Sequence, residues 1–111
     1  MKFLVGYKME GNDYITVVNV DDNSPFKDEE EIKCLVIDKI KDYDIEVKNW
    51  VLVKKRLFER NKQYLVKFRY DHVDNIQMDI VYAKNMIEAI ETFEFVCKRP
   101  DRYFITAVER M

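Results

Sequence analysis

The chain has 111 residues, 48% of them apolar and 36% charged, with a net charge of −2. Those proportions suit a single globular domain and exclude a disordered tail. No apolar run approaches the roughly 18 residues of a membrane-spanning helix, and MKFLVGYKMEG is too short in its apolar part for a secretory signal.

Residues Lys2–Met9 alternate, with Phe3, Val5, Tyr7 and Met9 on one side, which predicts a half-buried strand. Glu10-Gly11-Asn12-Asp13 is a turn cluster in which Gly11 supplies a positive φ. Tyr14–Val20 is the return strand. Ser24 before Pro25 reads as an N-cap followed by proline at the first helical position, with Asp28, Glu29 and Glu30 in the opening turns, where the helix dipole favours acids. That helix is expected from Pro25 to about Asp42. Its apolar face would be Ile32, Leu35, Val36, Ile40 and Tyr43, and Lys39 would have to snorkel from that face. Ile45 and Val47 open a third strand.

The middle of the chain, Asn49–Tyr70, reads as a β-hairpin. Trp50, Val51, Leu52, Val53, Leu57 and Phe58 form a β-prone run, Glu59–Lys62 are turn-type residues, and Tyr64–Tyr70 resumes a period of two. From Lys48 to Arg69 there are eight cations (Lys48, Lys54, Lys55, Arg56, Arg60, Lys62, Lys67 and Arg69) against one acid, Glu59. The stretch therefore carries +7, and the rest of the chain −9.

Asp71–Asn75 is a polar turn, after which Ile76, Met78, Ile80 and Tyr82 alternate with Gln77, Asp79 and Val81. Asn85 followed by Glu88 resembles a capping box, starting a helix whose core face would be Met86, Ala89, Ile90, Phe93, Val96 and Cys97. Ile87 and Phe95 fall off that face. Arg99-Pro100-Asp101 stops the helix, and Tyr103–Val108 is a last strand, with Tyr103, Ile105 and Ala107 opposite Phe104, Thr106 and Val108.

The order is thus ββαβ twice over. Phe3-Leu4-Val5-x-Tyr7 recurs as Tyr64-Leu65-Val66-x-Phe68, 61 residues on; Ile15 and Val17 recur as Ile76 and Met78; after a gap, Trp50 would match Tyr103. The expected fold is one α+β domain over residues 1–111, an antiparallel sheet with two helices on one face, made of two pseudo-repeated units at about 1–58 and 63–111.

Chemistry-bearing motifs are few. The only glycines are Gly6 and Gly11, which removes the Gly-rich phosphate loops. Asp21-Asp22-Asn23 lacks the spacing of a calcium loop. His72, the one histidine, stands between Asp71 and Asp74, and a turn histidine is a better reading than a general base. Cys34 and Cys97 carry no CxxC spacing and are expected as cytoplasmic thiols, Cys97 packed and Cys34 exposed. No catalytic residue, metal ligand or cofactor is expected.

Two charged features remain. Glu10 to Glu46 holds twelve acids against four lysines, a balance of −8, and such spaced carboxylates could imitate nucleic-acid phosphates. Their bland reading, loop and helix-start acids, is the favoured one. The basic stretch could bind nucleic acid through Lys54, Lys55, Arg56, Arg60, Lys62, Lys67 and Arg69; its bland reading is a solvated strand pair. The expected function is a non-catalytic cytoplasmic binding protein acting through protein–protein contact, with Phe95, Ile87, Glu29, Glu30 and Glu31 as contact residues. A homodimer is one form of it. An inhibitor or accessory protein of a phage or mobile element is another, suggested only by a composition rich in Ile, Lys, Asn, Tyr, Phe and Asp. Nucleic-acid binding is the alternative, an enzyme comes third, and no membrane partner is expected.

Overall fold

The structure, a computed structural model, describes residues 2–20, 29–53, 60–71, 73–96 and 102–111. It is an α+β fold with six antiparallel strands and two helices. The chain divides into two compact units, Met1–Lys54 and Lys55–Met111.

In the first unit, β1 (Lys2–Met9) lies between β2 (Asn12–Asn19) and β3 (Ile45–Val53), and α1 (Glu29–Ile40) packs on β2 and β3. The alternation expected in β1 is present: Phe3, Val5, Tyr7 and Met9 are buried against the neighbouring face of β2, where Tyr14, Thr16 and Val18 stand opposite Tyr7, Val5 and Phe3. Met9 pairs with Asn12, leaving a two-residue turn in which Glu10 and Gly11 both have positive φ, 52° and 81°. That is a type I′ turn, whose twist suits the flanking strands. Glu10 is the strained member, because only Gly, Asn and Asp enter this region cheaply.

β1 and β3 slip register between Gly6 and Tyr7, so that Lys48 is an extra residue in β3. The bulge reverses the phase of β3. Ile45 and Val47 point into the core ahead of it; beyond it, Trp50 and Leu52 stand opposite Val5 and Phe3. Gly6 lies beside the bulge, and a Cβ there would sit 2.8 Å from Asn49 Oδ1, so the exposed Asn49 side chain would have to move aside.

α1 buries Ile32 and Val36, with Leu35 and Ile40 at its margin. It ends earlier than expected: Lys41 has φ 60° and donates its N–H to Ile37 O at 2.8 Å, a left-handed terminal residue. Beyond that reversal Tyr43 is exposed, not part of the core face. Lys39 does snorkel, and its Nζ donates to Val17 O at 2.6 Å. The Ser24-Pro25 cap and Asp28 lie outside the described residues.

In the second unit, β4 (Lys62–Tyr70) lies between β5 (Gln77–Ala83) and β6 (Tyr103–Arg110), and α2 (Met86–Val96) packs on all three. This corrects the expected hairpin. Both hydrogen-bonding edges of β4 are taken, by β5 and β6, and β3 pairs with β1. β3 and β4 are therefore consecutive in sequence without being a hairpin. A strand with two occupied edges has no N–H or C=O row left to offer, and the periodicity of Tyr64–Tyr70 says nothing about which strands fill them. Of the intervening basic run, Lys54, Lys55 and Arg56 lie outside the described residues, as do Leu57 and Phe58.

β4 sends Tyr64, Val66 and Phe68 into the core. Phe68 is the hub of an aromatic cluster, with ring centroids 4.8 Å from Phe93, 5.7 Å from Tyr70 and 6.2 Å from Tyr103. Phe93 and Tyr103 meet edge to face at 5.5 Å. α2 starts as expected: Asn85 Oδ1 accepts from Glu88 N at 2.8 Å. Its core face, however, is turned from the expected one. Ile87 is 5% exposed and belongs with Ala89, Ile90 and Phe93, whereas Met86 is exposed. Cys97 lies outside the described residues. β6 is also not a plain alternation. It slips against β4 between Lys67 and Phe68, making Thr106 the extra residue, whose Oγ1 donates to Lys67 O at 3.1 Å. Ile105 and Val108 consequently share the core side, opposite Phe68 and Val66.

Two stability outcomes are expected. Phe68→Ala empties the centre of the cluster and should lower stability by about 3–5 kcal/mol in urea denaturation. Glu10→Asn creates the favoured Asn-Gly turn and should raise it by up to about 1 kcal/mol in the same assay.

Candidate functional site: the outer face of β5

β5 pairs with β4 on one side and ends the sheet on the other. Its phase is what makes it unusual. Two residues, Lys84 and Asn85, separate it from α2, and the last strand residue, Ala83, is small and fully buried on the helix side. A period of two then puts Val81, Asp79 and Gln77 on the helix side with it. The apolar half of the alternation is left on the opposite face: Ile76 is 48% exposed, Met78 61%, Ile80 50% and Tyr82 63%. Together they present an apolar patch on the order of a few hundred Å².

The neighbours on that face are polar and held. Gln63 Nε2 donates to Tyr82 Oη at 2.7 Å, which fixes the phenol at one end of the stripe. Lys67, opposite Met78, pairs with Glu109 at 3.0 Å. Arg69, whose side chain is 15% exposed, reaches Asp74 at 3.4 Å. The stripe is thus apolar along one strand and bordered by paired charges on the next.

Other expected contact residues scatter. Phe95 is exposed as expected, at 78%, on α2. Ile87 is in the core and is withdrawn as a contact residue. Glu29, Glu30 and Glu31 occupy the first turn of α1, the first two exposed and Glu31 half-buried. Cys34 is an exposed thiol.

The described basic residues, Arg60, Lys62, Lys67 and Arg69, do not share one face. Arg60 is exposed ahead of β4; Lys62 shares the helix-side phase of Tyr64; Lys67 and Arg69 share the other phase and each has an acid partner. His72 lies outside the described residues. The acids beside it in sequence both have cations: Asp74 has Arg69, and Asp71 stands 3.9 Å from Arg102 Nη1 while its N–H donates to Arg102 O at 2.7 Å. Arg102 in turn lies over the Phe104 ring at 5.1 Å. Among the described residues no group of three or more His, Cys, Asp or Glu side chains could hold a metal ion, and no helix is long and apolar enough to cross a membrane.

The stripe was not singled out from sequence because Ile76-x-Met78-x-Ile80-x-Tyr82 looks like the inward half of a strand. The signal that could have found it is Ala83 with its two-residue link to a capped helix, which sets the phase. Comparison with protein-family models, with curated proteins and with solved structures finds no match.

The exposed location of the stripe has a measurable consequence. Ile80→Thr should change folding stability by less than about 1 kcal/mol, while Val66→Ala, at a fully buried position of the adjacent strand, should cost clearly more in paired urea titrations.

Proposed function

We propose that the protein is a non-catalytic binding protein that works through protein–protein contact, and that the contact surface is the outer face of β5. The observation that carries this reading is the run of exposed apolar side chains formed by Met78, Ile80 and Tyr82 on one edge strand and Ile76 just ahead of it. Contiguous apolar surface of this extent, rimmed by polar residues, is characteristic of interaction sites. Phe95 supplies a second, separate apolar point on α2. The setting is a cytoplasm, where Cys34 stays a thiol. An inhibitor or accessory protein of a phage or mobile element is one form of this function, and the composition of the chain alone suggests it.

Nucleic-acid binding is the second reading. It rests on the +7 balance between Lys48 and Arg69. The acid partners of Lys67 and Arg69 favour the first reading over it, since a paired cation has less charge to give a phosphate.

The expected internal repeat is also kept as a proposal. Each unit puts its first strand in the centre, and the bulges fall at Gly6/Tyr7 and Lys67/Phe68, 61 residues apart, the separation read from sequence. The pairing registers then match Ile15 and Val17 to Met78 and Ile80, and Trp50 to Val108, rather than to the residues expected.

Affinity capture from a native host separates the functional readings. The unaltered chain should retain a protein partner whether or not nuclease is added, and Ile80→Lys should lose it. Capture that disappears with nuclease, or that weakens steeply with salt, would move the assignment to nucleic acid. Capture indifferent to Ile80→Lys would remove β5 as the contact surface.

A further inference from the structure

Resting on the reading of β5 as a contact surface, we infer that its partner is a second copy of this chain, joined by antiparallel pairing of β5 with β5 about a twofold axis at Ile80. Three features of the strand carry this.

The first is an edge with little to guard it among the described residues. β5 is seven residues long, contains no Pro, Lys or Arg, and carries one charge, Asp79, which lies on the helix side. Outer strands that stay single are usually protected by charges, bulges or proline. β3, which pairs only with β1, shows those devices: Glu46, Lys48 and the bulge at Gly6/Tyr7. β5 and β4 pair without a break from Lys62–Ala83 to Phe68–Gln77. Among the described residues, β3 is thus the more heavily guarded outer strand, and β5 has the inward Asp79 alone.

The second is self-complementarity. Turned antiparallel on its own copy with Ile80 at the centre, the strand uses all seven residues. On the outer face Ile80 then meets Ile80, and Met78 meets Tyr82 in both directions, a thioether against a ring. On the helix side Asp79 stands beside Val81 and Gln77 beside Ala83. Opposite residues of an antiparallel pair share a face, so the two apolar stripes join into one band. The Gln63 hydrogen bond already holds Tyr82 in place. A stripe with no charge of its own has no means of selecting an unlike partner by charge, and it fits its own image.

The third is closure and size. An isologous strand pair consumes both open edges and stops at two chains, so the exposed edge yields a closed dimer and not a fibre. Stable interfaces cover about 800 Å² per partner, and the stripe offers on the order of a few hundred Å². The dimer is consequently reversible and dependent on concentration.

Sedimentation velocity of the full chain from about 1 to 100 μM tests the state, the span in which a reversible dimer of this size dissociates. The expected result is a mass rising from 13.5 kDa toward twice that value, with Ile80→Lys monomeric throughout. Oxidative cross-linking tests the register in chains carrying Cys34→Ser and Cys97→Ser. Ile80→Cys should give a covalent dimer, because the two cysteines face each other. Gln77→Cys should not, because its copies lie roughly 20 Å apart along the pair. A monomer across the whole range, or cross-linking at Gln77→Cys equal to that at Ile80→Cys, would overturn the inference. If the chain is monomeric while Ile80→Lys still abolishes capture of a foreign protein, this inference fails and the β5 contact surface stands. If there is neither dimer nor capture, both fail.

Discussion

Each unit depends on a first strand whose two hydrogen-bonding edges are both in use. β1 holds β2 and β3, and β4 holds β5 and β6. A central strand must satisfy two partners of different phase, and in both units the third strand meets that demand with one extra residue, Lys48 in β3 and Thr106 in β6. The bulge is what lets apolar residues on either side of it face the same side of the sheet. Without it, Trp50 and Leu52 would point away from Val5 and Phe3, and Ile105 and Val108 could not both face β4's buried row. Phe68 sits at the bulge, so the aromatic cluster and the sheet irregularity are one feature.

Much of this was legible in the sequence. The element order, the alternation of β1 and β4, the Gly11 turn, the Asn85 cap, the snorkelling of Lys39 and the exposure of Cys34 and Phe95 all follow from local rules, and local rules suffice where one residue and its near neighbours decide the outcome. What was misread needed information from outside the segment. The hairpin assignment failed because adjacency in sequence does not reveal that β4's edges are filled by strands following it. Ile87 and Met86 exchanged roles because the rotation of α2 is set by the strand it leaves, not by its own apolar count. Tyr43 was placed on the helix face because the left-handed residue Lys41, which turns the chain away, carries no glycine to announce itself. The phase of β5 was hidden for a related reason: its more apolar side is the wet one, and only Ala83 records which side the helix occupies.

The charge layout looks different once pairing is known. A basic middle and an acidic front suggested recognition of, or imitation of, a polyanion. The described cations of β4's outer face are matched to Glu109 and Asp74; the more open pair, Lys67–Glu109, is of the kind worth about 1 kcal/mol or less, so it shapes the surface more than it stabilises it. Both cations border the apolar stripe as groups that already have an acid partner, so shape and hydrophobic contact carry more of the recognition there than charge does.

The notch at Gly6 has an evolutionary reading. The amide of Asn49 occupies the volume that a side chain at position 6 would need. The two sites share one small space, but Asn49 is exposed and its amide is the free end of a flexible side chain. A larger residue 6 is therefore tolerated wherever that side chain swings aside or shortens, and the two positions can change in either order.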